Sequence, residues 1–176
     1  MDQRIRRVGF VLVWFAVVMN LALSPSHAGE QPKILIGRVS HVEGQLLRYV
    51  PEENDWASVG KDAPFGMEDA LYTDEQARAE FLLPNGSWIR MGGATQIQAI
   101  RLLPDVTEVD VASGMARFIN RSELCVIHVT TPFGYVVAHG GAIFDLYVGD
   151  DSLEVIGSAG KVAFVHQGDD SRYEVV

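Results

Sequence analysis

From Ile34 to the end of the chain, apolar and polar residues alternate with a period of two. Successive side chains of a strand point to opposite faces, so this period predicts half-buried strands, whereas a helix would show a period near 3.6. The clearest runs are residues 78–83, 96–99, 107–111 and 142–148. No stretch after Leu23 carries a convincing helical stripe, and the best candidate, residues 67–76, is only a turn or two long. The sequence therefore predicts an all-β fold.

Glycines separate these alternating runs. Asn85-Gly86 between two apolar runs is a strong hairpin signal, and it favours a type I′ turn, in which both central residues have positive φ. The other glycines that we expect to form turns are Gly114, Gly140, Gly141 and Gly160. The glycines recur at unequal intervals, which is not a strict solenoid period. We expect about ten short strands joined by glycine-punctuated hairpins, in a sandwich or an irregular β-solenoid-like wrap.

The first 28 residues have the features of a secretory signal peptide. Three arginines within the first seven residues precede the apolar run Val8–Leu23, and the small side chains of Ser26 and Ala28 stand where a signal peptidase requires them. We therefore expect cleavage after Ala28 and export; in a Gram-negative bacterium the exported chain would reach the periplasm or be secreted beyond it. Residues 29–36 would then form an N-terminal linker.

The alternative is a retained anchor in the inner membrane, formed by Val8–Leu23. Sixteen helical residues span about 24 Å, which is short of a hydrocarbon core of roughly 30 Å. Cleavage, with no stable membrane insertion afterwards, is the preferred interpretation. Cys125 is the only cysteine, so the chain offers neither an acceptor for a lipid at the cleavage site nor an intramolecular disulfide.

Charge limits the classes of partner. Removal of residues 1–28 leaves 11 Lys and Arg against 22 Asp and Glu, a net charge of −11. Nucleic-acid binding depends on Lys and Arg neutralising phosphates, so we expect no nucleic-acid partner. An envelope protein or a glycan is the expected partner.

Several short motifs follow one another in order along this domain. They are Gly37-Arg-Val, Val42-Glu-Gly-Gln, Trp56-Ala-Ser-Val-Gly, Leu71-Tyr-Thr-Asp, Leu83-Pro-Asn-Gly-Ser, Val129-Thr-Thr-Pro-Phe-Gly and the segment Val155 to Phe164. In this order they resemble the FecR domain over residues 37–166, which leaves 167–176 as a tail or the start of a truncated extension. The resemblance implies a bacterial, periplasm-facing, non-catalytic β-domain.

In the founding members of that family, the domain relays ferric-siderophore occupancy of a receptor to a cytoplasmic sigma factor. Only seven residues precede the apolar run here, where a sigma-regulating segment would stand. We therefore expect a free-standing, secreted FecR-like protein that acts in protein binding, scaffolding or envelope signalling. A membrane-anchored component of an iron-responsive anti-sigma type system is one alternative.

A carbohydrate- or peptidoglycan-binding module is the second alternative. Trp56 and Trp88 could present planar rings to a ligand. Trp88 follows the Asn-Gly turn and is two residues from Arg90, so on a strand the two side chains would share one face. These three residues are the candidate ligand-binding residues. Packing in the core is the competing and more common role of tryptophan.

No catalytic residue, metal or cofactor is expected. Cys125 and His128 are three residues apart, so on one strand they would point to opposite faces, and Cys125 is interpreted as a small buried side chain. His139 lacks the convergent ligands of a metal site. The acidic segments 149–152 and 168–171 are interpreted as solvated turns rather than calcium sites.

Overall fold

The computed structural model describes residues 33–175, which form fifteen strands and no helix. The strands are β1 (Gly37–Glu43), β2 (Leu46–Val50), β3 (Asp55–Ser58), β4 (Pro64–Phe65), β5 (Ala70–Thr73), β6 (Arg78–Leu82), β7 (Trp88–Met91), β8 (Thr95–Leu102), β9 (Val106–Ile119), β10 (Val126–Thr131), β11 (Gly134–Ala138), β12 (Ile143–Val148), β13 (Leu153–Ala159), β14 (Val162–His166) and β15 (Arg172–Val175). The all-β prediction is confirmed. The count exceeds the expected ten because strands as short as β4 are too brief to show alternation.

Two further predictions concern the chain ends. The proposed signal peptide, with Ser26 and Ala28, lies outside the described residues. Within 167–176, β15 pairs antiparallel with β14. Over residues 33–175, no helix is long and apolar enough to cross a membrane.

The strands form two sheets that share β9. Sheet I has the order β4-β1-β6-β7-β9-β12-β13, and sheet II has the order β3-β2-β5-β8-β9-β10-β11-β14-β15. The first half of β9 pairs with β8 and β10, and its second half pairs with β7 and β12. Only the β9–β10 pair is parallel among the described strands.

β9 changes its buried face as it passes from sheet II to sheet I. Thr107, Val109 and Val111 are fully buried in its first half, whereas Ala116 and Phe118 are fully buried in its second half. The buried positions therefore shift from odd to even numbers. Both halves contribute to one hydrophobic cluster, in which the rings of Phe118 and Phe144 stack 5.0 Å apart.

Gly114 lies at this change of face, inside β9 rather than in the turn that the sequence suggested. Its φ is +88°, and a Cβ there would lie 2.5 Å from the Ala94 carbonyl oxygen and from the Thr95 hydroxyl. That hydroxyl accepts a hydrogen bond from the Met115 amide at 2.9 Å and donates to the Met115 carbonyl at 3.1 Å. Thr95 thus satisfies backbone groups at the bend, where regular strand pairing is interrupted.

The β6–β7 hairpin forms at Asn85-Gly86, but the predicted type I′ turn is wrong. Only Gly86 has positive φ, at +85°, and the Gly86 amide donates to the Leu83 carbonyl at 2.9 Å. Pro84 is the physical reason, since its ring holds φ near −65° at the second position of a type I turn and shifts the left-handed residue to Gly86. Gly140 and Gly141 lie in the turn between β11 and β12, and Gly160 lies between β13 and β14.

Substitution Gly114→Ala should destabilise the fold severely. The added methyl group meets backbone at 2.5 Å, and alanine disfavours this φ. We expect a loss of at least about 2 kcal/mol in the free energy of unfolding, measured by urea denaturation.

The matched control is Gly60→Ala, because a methyl group at Gly60 would meet nothing within 4 Å. Its free energy of unfolding should stay within about 0.5 kcal/mol of the wild type. Equal urea midpoints for the two variants would contradict the role assigned to Gly114.

Candidate functional site

The three candidate ligand-binding residues do not form one site. Trp88 and Arg90 lie on β7 in sheet I, and Trp56 lies on β3 in sheet II. Trp88 is half-buried, and the guanidinium carbon of Arg121 lies 5.9 Å from its ring centroid. The two tryptophans therefore belong to two separate surfaces.

Arg90 belongs to a row of charged side chains across the solvent face of sheet I. It forms an ion pair with Glu80 at 2.9 Å, and the neighbouring Arg117 holds Asp145 through two hydrogen bonds of 2.7 and 2.8 Å. The hydrogen bonds that Arg117 donates to Asp145, followed by the negative charge of that carboxylate, raise the pKa of Arg117. The row follows the strand register, because Glu80, Arg90, Arg117 and Asp145 are successive cross-strand partners.

Exposed apolar side chains lie next to this row. Met115 is 53% exposed, and Tyr147 and Ile156 are each 49% exposed. Met115 and Tyr147 are cross-strand partners on β9 and β12, and Ile156 lies on β13, opposite Asp145. These side chains form a contiguous apolar patch on an otherwise charged face.

The patch and the arginines line two adjoining depressions of about 460 and 260 Å³. Both are lined by Met115, Arg117 and Asp145. The smaller one extends over Gly92, which has no side chain to fill it. We call the combined feature the Met115 groove; besides the three residues common to both depressions, its lining includes Arg90, Gly92, Tyr147, Glu154 and Ile156.

Sequence reasoning found only part of this groove. Alternation placed Arg90 and Tyr147 on solvent faces, but the odd-numbered pattern of 107–111, if continued, would have buried Met115. The available signal was the apolar pair Ala116 and Phe118, which fits the even-numbered pattern after Gly114. Nothing in the sequence showed that Ile156 would join Met115, since they belong to strands separated by β12.

The structure also locates Cys125 and His128. The Cys125 sulfur is buried, 3.5 Å from the Thr107 hydroxyl, whereas His128 Nδ1 lies 3.6 Å from Glu108 Oε1. Because Thr107 and Glu108 are adjacent on β9, their side chains face opposite ways, and Cys125 and His128 lie on opposite sides of sheet II. Burial is the main cause that raises the pKa of the Cys125 thiol.

Residues 33–175 contain no group of three or more His, Cys, Asp or Glu side chains placed to hold a metal ion. His139 is exposed in the turn after β11. In the acidic turn 168–171, Asp169 accepts a hydrogen bond of 2.6 Å from the Ser171 hydroxyl, and this contact lowers the pKa of Asp169. That carboxylate stabilises its own turn.

The chain belongs to the FecR family. The FecR protein family matches residues 69–163, which is more than half of the chain and includes the whole Met115 groove, whereas Trp56 precedes the matched segment. No protein with a curated function matches the sequence.

Two crystal structures of a candidate anti-sigma factor from Parabacteroides distasonis, at 1.65 and 2.50 Å resolution, have a similar fold. Each has a TM-score of 0.52 and 20% sequence identity, over 61% of this chain and 50% of the other. This chain thus spans about half the length of those structures.

The raised pKa of Cys125 predicts a pH-dependent stability. Above the thiol pKa of the unfolded chain, about 8.5, the unfolded state loses its proton while the folded state retains it, so the free energy of unfolding falls as pH rises. Urea unfolding at pH 7 and about pH 9.5 should show a larger loss for the wild type than for Cys125→Ala. Equal losses of unfolding free energy in the two proteins would mean that Cys125 does not contribute to the pH dependence of stability.

Proposed function

We propose that this FecR-family domain is a non-catalytic, protein-binding component of an envelope signalling system, and that it works in the periplasm. The observation that carries the proposal is the Met115 groove, in which three large apolar side chains remain about half exposed next to two arginines.

The composition of the groove is typical of protein interfaces. Met, Tyr and Arg are enriched at such interfaces, and Tyr and Arg are common among the residues that dominate binding energy. Arg90 and Arg117 are each held by a carboxylate, so their planar groups are already ordered when a partner arrives. Pre-ordering lowers the entropic cost of binding.

The family and its structural neighbours support signalling as the context. The description of the Parabacteroides distasonis protein as a candidate anti-sigma factor suggests that domains of this fold act on other proteins. A non-catalytic role agrees with the separation of Cys125 from His128 by sheet II. The net charge of −11 after removal of residues 1–28 favours a partner other than nucleic acid.

Site-specific photo-crosslinking in cells tests the groove. A photoreactive phenylalanine derivative at position 147 should capture a discrete envelope protein, because Tyr147 projects from the groove. The same derivative at Tyr173 is the matched control, since Tyr173 is a tyrosine of similar exposure, 56%, on β15 of the other sheet. Mass spectrometry would identify the captured protein.

A second variant checks that capture depends on the groove surface. Met115→Ser should reduce the yield of the position-147 crosslink at least about fivefold, since it removes apolar contact area while leaving the core unchanged. Equal capture from positions 147 and 173, or capture unaffected by Met115→Ser, would contradict the proposed binding surface.

Localisation is tested through the predicted cleavage site. The isolated protein should begin at Gly29, and Ala28→Arg should block processing because a signal peptidase requires a small side chain there. His27→Arg is the matched control, since its side chain is not held in that pocket, and it should be processed normally. Mass spectrometry distinguishes the products, and an unprocessed wild-type chain in the membrane fraction would favour the membrane-anchored alternative.

A further inference from the structure

We propose that a second surface of this domain, on the solvent face of sheet II, binds an uncharged oligosaccharide. The site is a depression of about 310 Å³ lined by Leu47, Trp56, Tyr72 and Gln96. It lies on strands β2, β3, β5 and β8 and shares no residue with the Met115 groove, so it stands independently of the protein-binding function proposed above.

The rings are arranged across three strands. Trp56 on edge strand β3 reaches over β2 to Tyr72 on β5, with ring centroids 6.2 Å apart, and Leu47 on β2 lies between them. The Tyr49 ring packs edge to face against the Trp56 ring, with ring centroids 5.5 Å apart. The Tyr49 hydroxyl donates a hydrogen bond to Asn54 Oδ1 at 2.6 Å. Trp56 and Tyr72 are therefore held in place yet remain partly open to solvent.

The polar groups suit a sugar. Gln96 is exposed and is the cross-strand partner of Tyr72. Among the hydrogen bonds within residues 33–175, none uses the Gln96 amide or the Tyr72 hydroxyl. An amide and a hydroxyl next to aromatic rings can hydrogen-bond sugar hydroxyls, while the rings contact the apolar face of the pyranose. This combination of apolar walls and a few polar groups is typical of small-molecule sites, and the volume is at the lower end of their range.

The charges select an uncharged ligand. No charged side chain lines the depression, so an ionic ligand would find no countercharge to offset its desolvation, whereas the hydroxyl groups of a neutral sugar need only hydrogen-bond partners. The neighbouring β2–β3 turn carries Glu52 and Glu53, and Asp55 is the first residue of β3; all three are exposed. These carboxylates would repel an anionic glycan within a Debye length of about 8 to 10 Å. A neutral oligosaccharide is the ligand class that matches both features.

Isothermal titration calorimetry of the full chain tests the site. The probes are the neutral trisaccharides tri-N-acetylchitotriose, which carries N-acetyl groups, and cellotriose, which does not, and the anionic control is trigalacturonate. At least one neutral trisaccharide should bind at millimolar concentrations, and trigalacturonate should not. The better neutral probe identifies whether the N-acetyl group contributes to recognition.

Variants then locate the binding. Trp56→Ala should lower the affinity for the neutral trisaccharide at least about tenfold. Gln96→Leu, which keeps the side-chain bulk at an exposed position, should lower this affinity several-fold. Tyr147→Ala is the control, because it removes an exposed aromatic ring from sheet I, and its affinity should equal that of the wild type. Circular dichroism confirms that each variant is folded.

Three results would overturn the proposal. They are no binding of either neutral trisaccharide, wild-type affinity in both folded variants Trp56→Ala and Gln96→Leu, or a loss of affinity in Tyr147→Ala equal to that in Trp56→Ala. None of these results would alter the crosslinking prediction for the Met115 groove. Failure of the oligosaccharide site and failure of the protein-binding surface are therefore distinguishable.

Discussion

The fold depends on the bend in β9, and the hydrogen bonds between the Thr95 hydroxyl and the backbone of Met115 stabilise that bend. A single strand, β9, serves two sheets, and it can do so only if its buried face changes between Val111 and Ala116. Gly114 allows the backbone to turn there, and Thr95 satisfies the Met115 amide at the bend. Because a buried and unpaired amide is costly, the hydroxyl and the glycine act together.

A second polar connection joins the sheets near the β6–β7 hairpin. The Asn85 amide nitrogen donates to the Thr107 hydroxyl at 3.3 Å and to the Cys125 sulfur at 3.4 Å, while Asn120 Nδ2 donates to the Cys125 carbonyl at 2.6 Å. Asn85 is thus more than a turn former: it links a sheet I hairpin to the start of β9 in sheet II. Buried polar groups that are satisfied in this way favour one arrangement of the sheets over others.

The bend in β9 also creates the proposed protein-binding surface. The change of face that buries Ala116 and Phe118 turns Met115 outward, next to Tyr147 and on the same face as the two ion-paired arginines. A regular strand in this position would have placed an apolar side chain inside the core and left the groove without its central residue. The same feature therefore organises the core and the exposed patch. Trp56 and its neighbours lie on a part of sheet II distant in sequence from this bend.

Local pattern by itself determined the strand character of this chain, the hairpin at Asn85-Gly86, the outward direction of Arg90 and Tyr147, and the opposite orientations of Cys125 and His128. All of these follow from the period of two and from turn chemistry, which act between close neighbours in sequence. Only the tertiary structure decided that β9 belongs to both sheets, that Met115 meets Ile156, and that Trp56 lies far from Trp88 in the strand order. These features depend on pairing between distant strands, and residue periodicity within one strand carries no information about its partners.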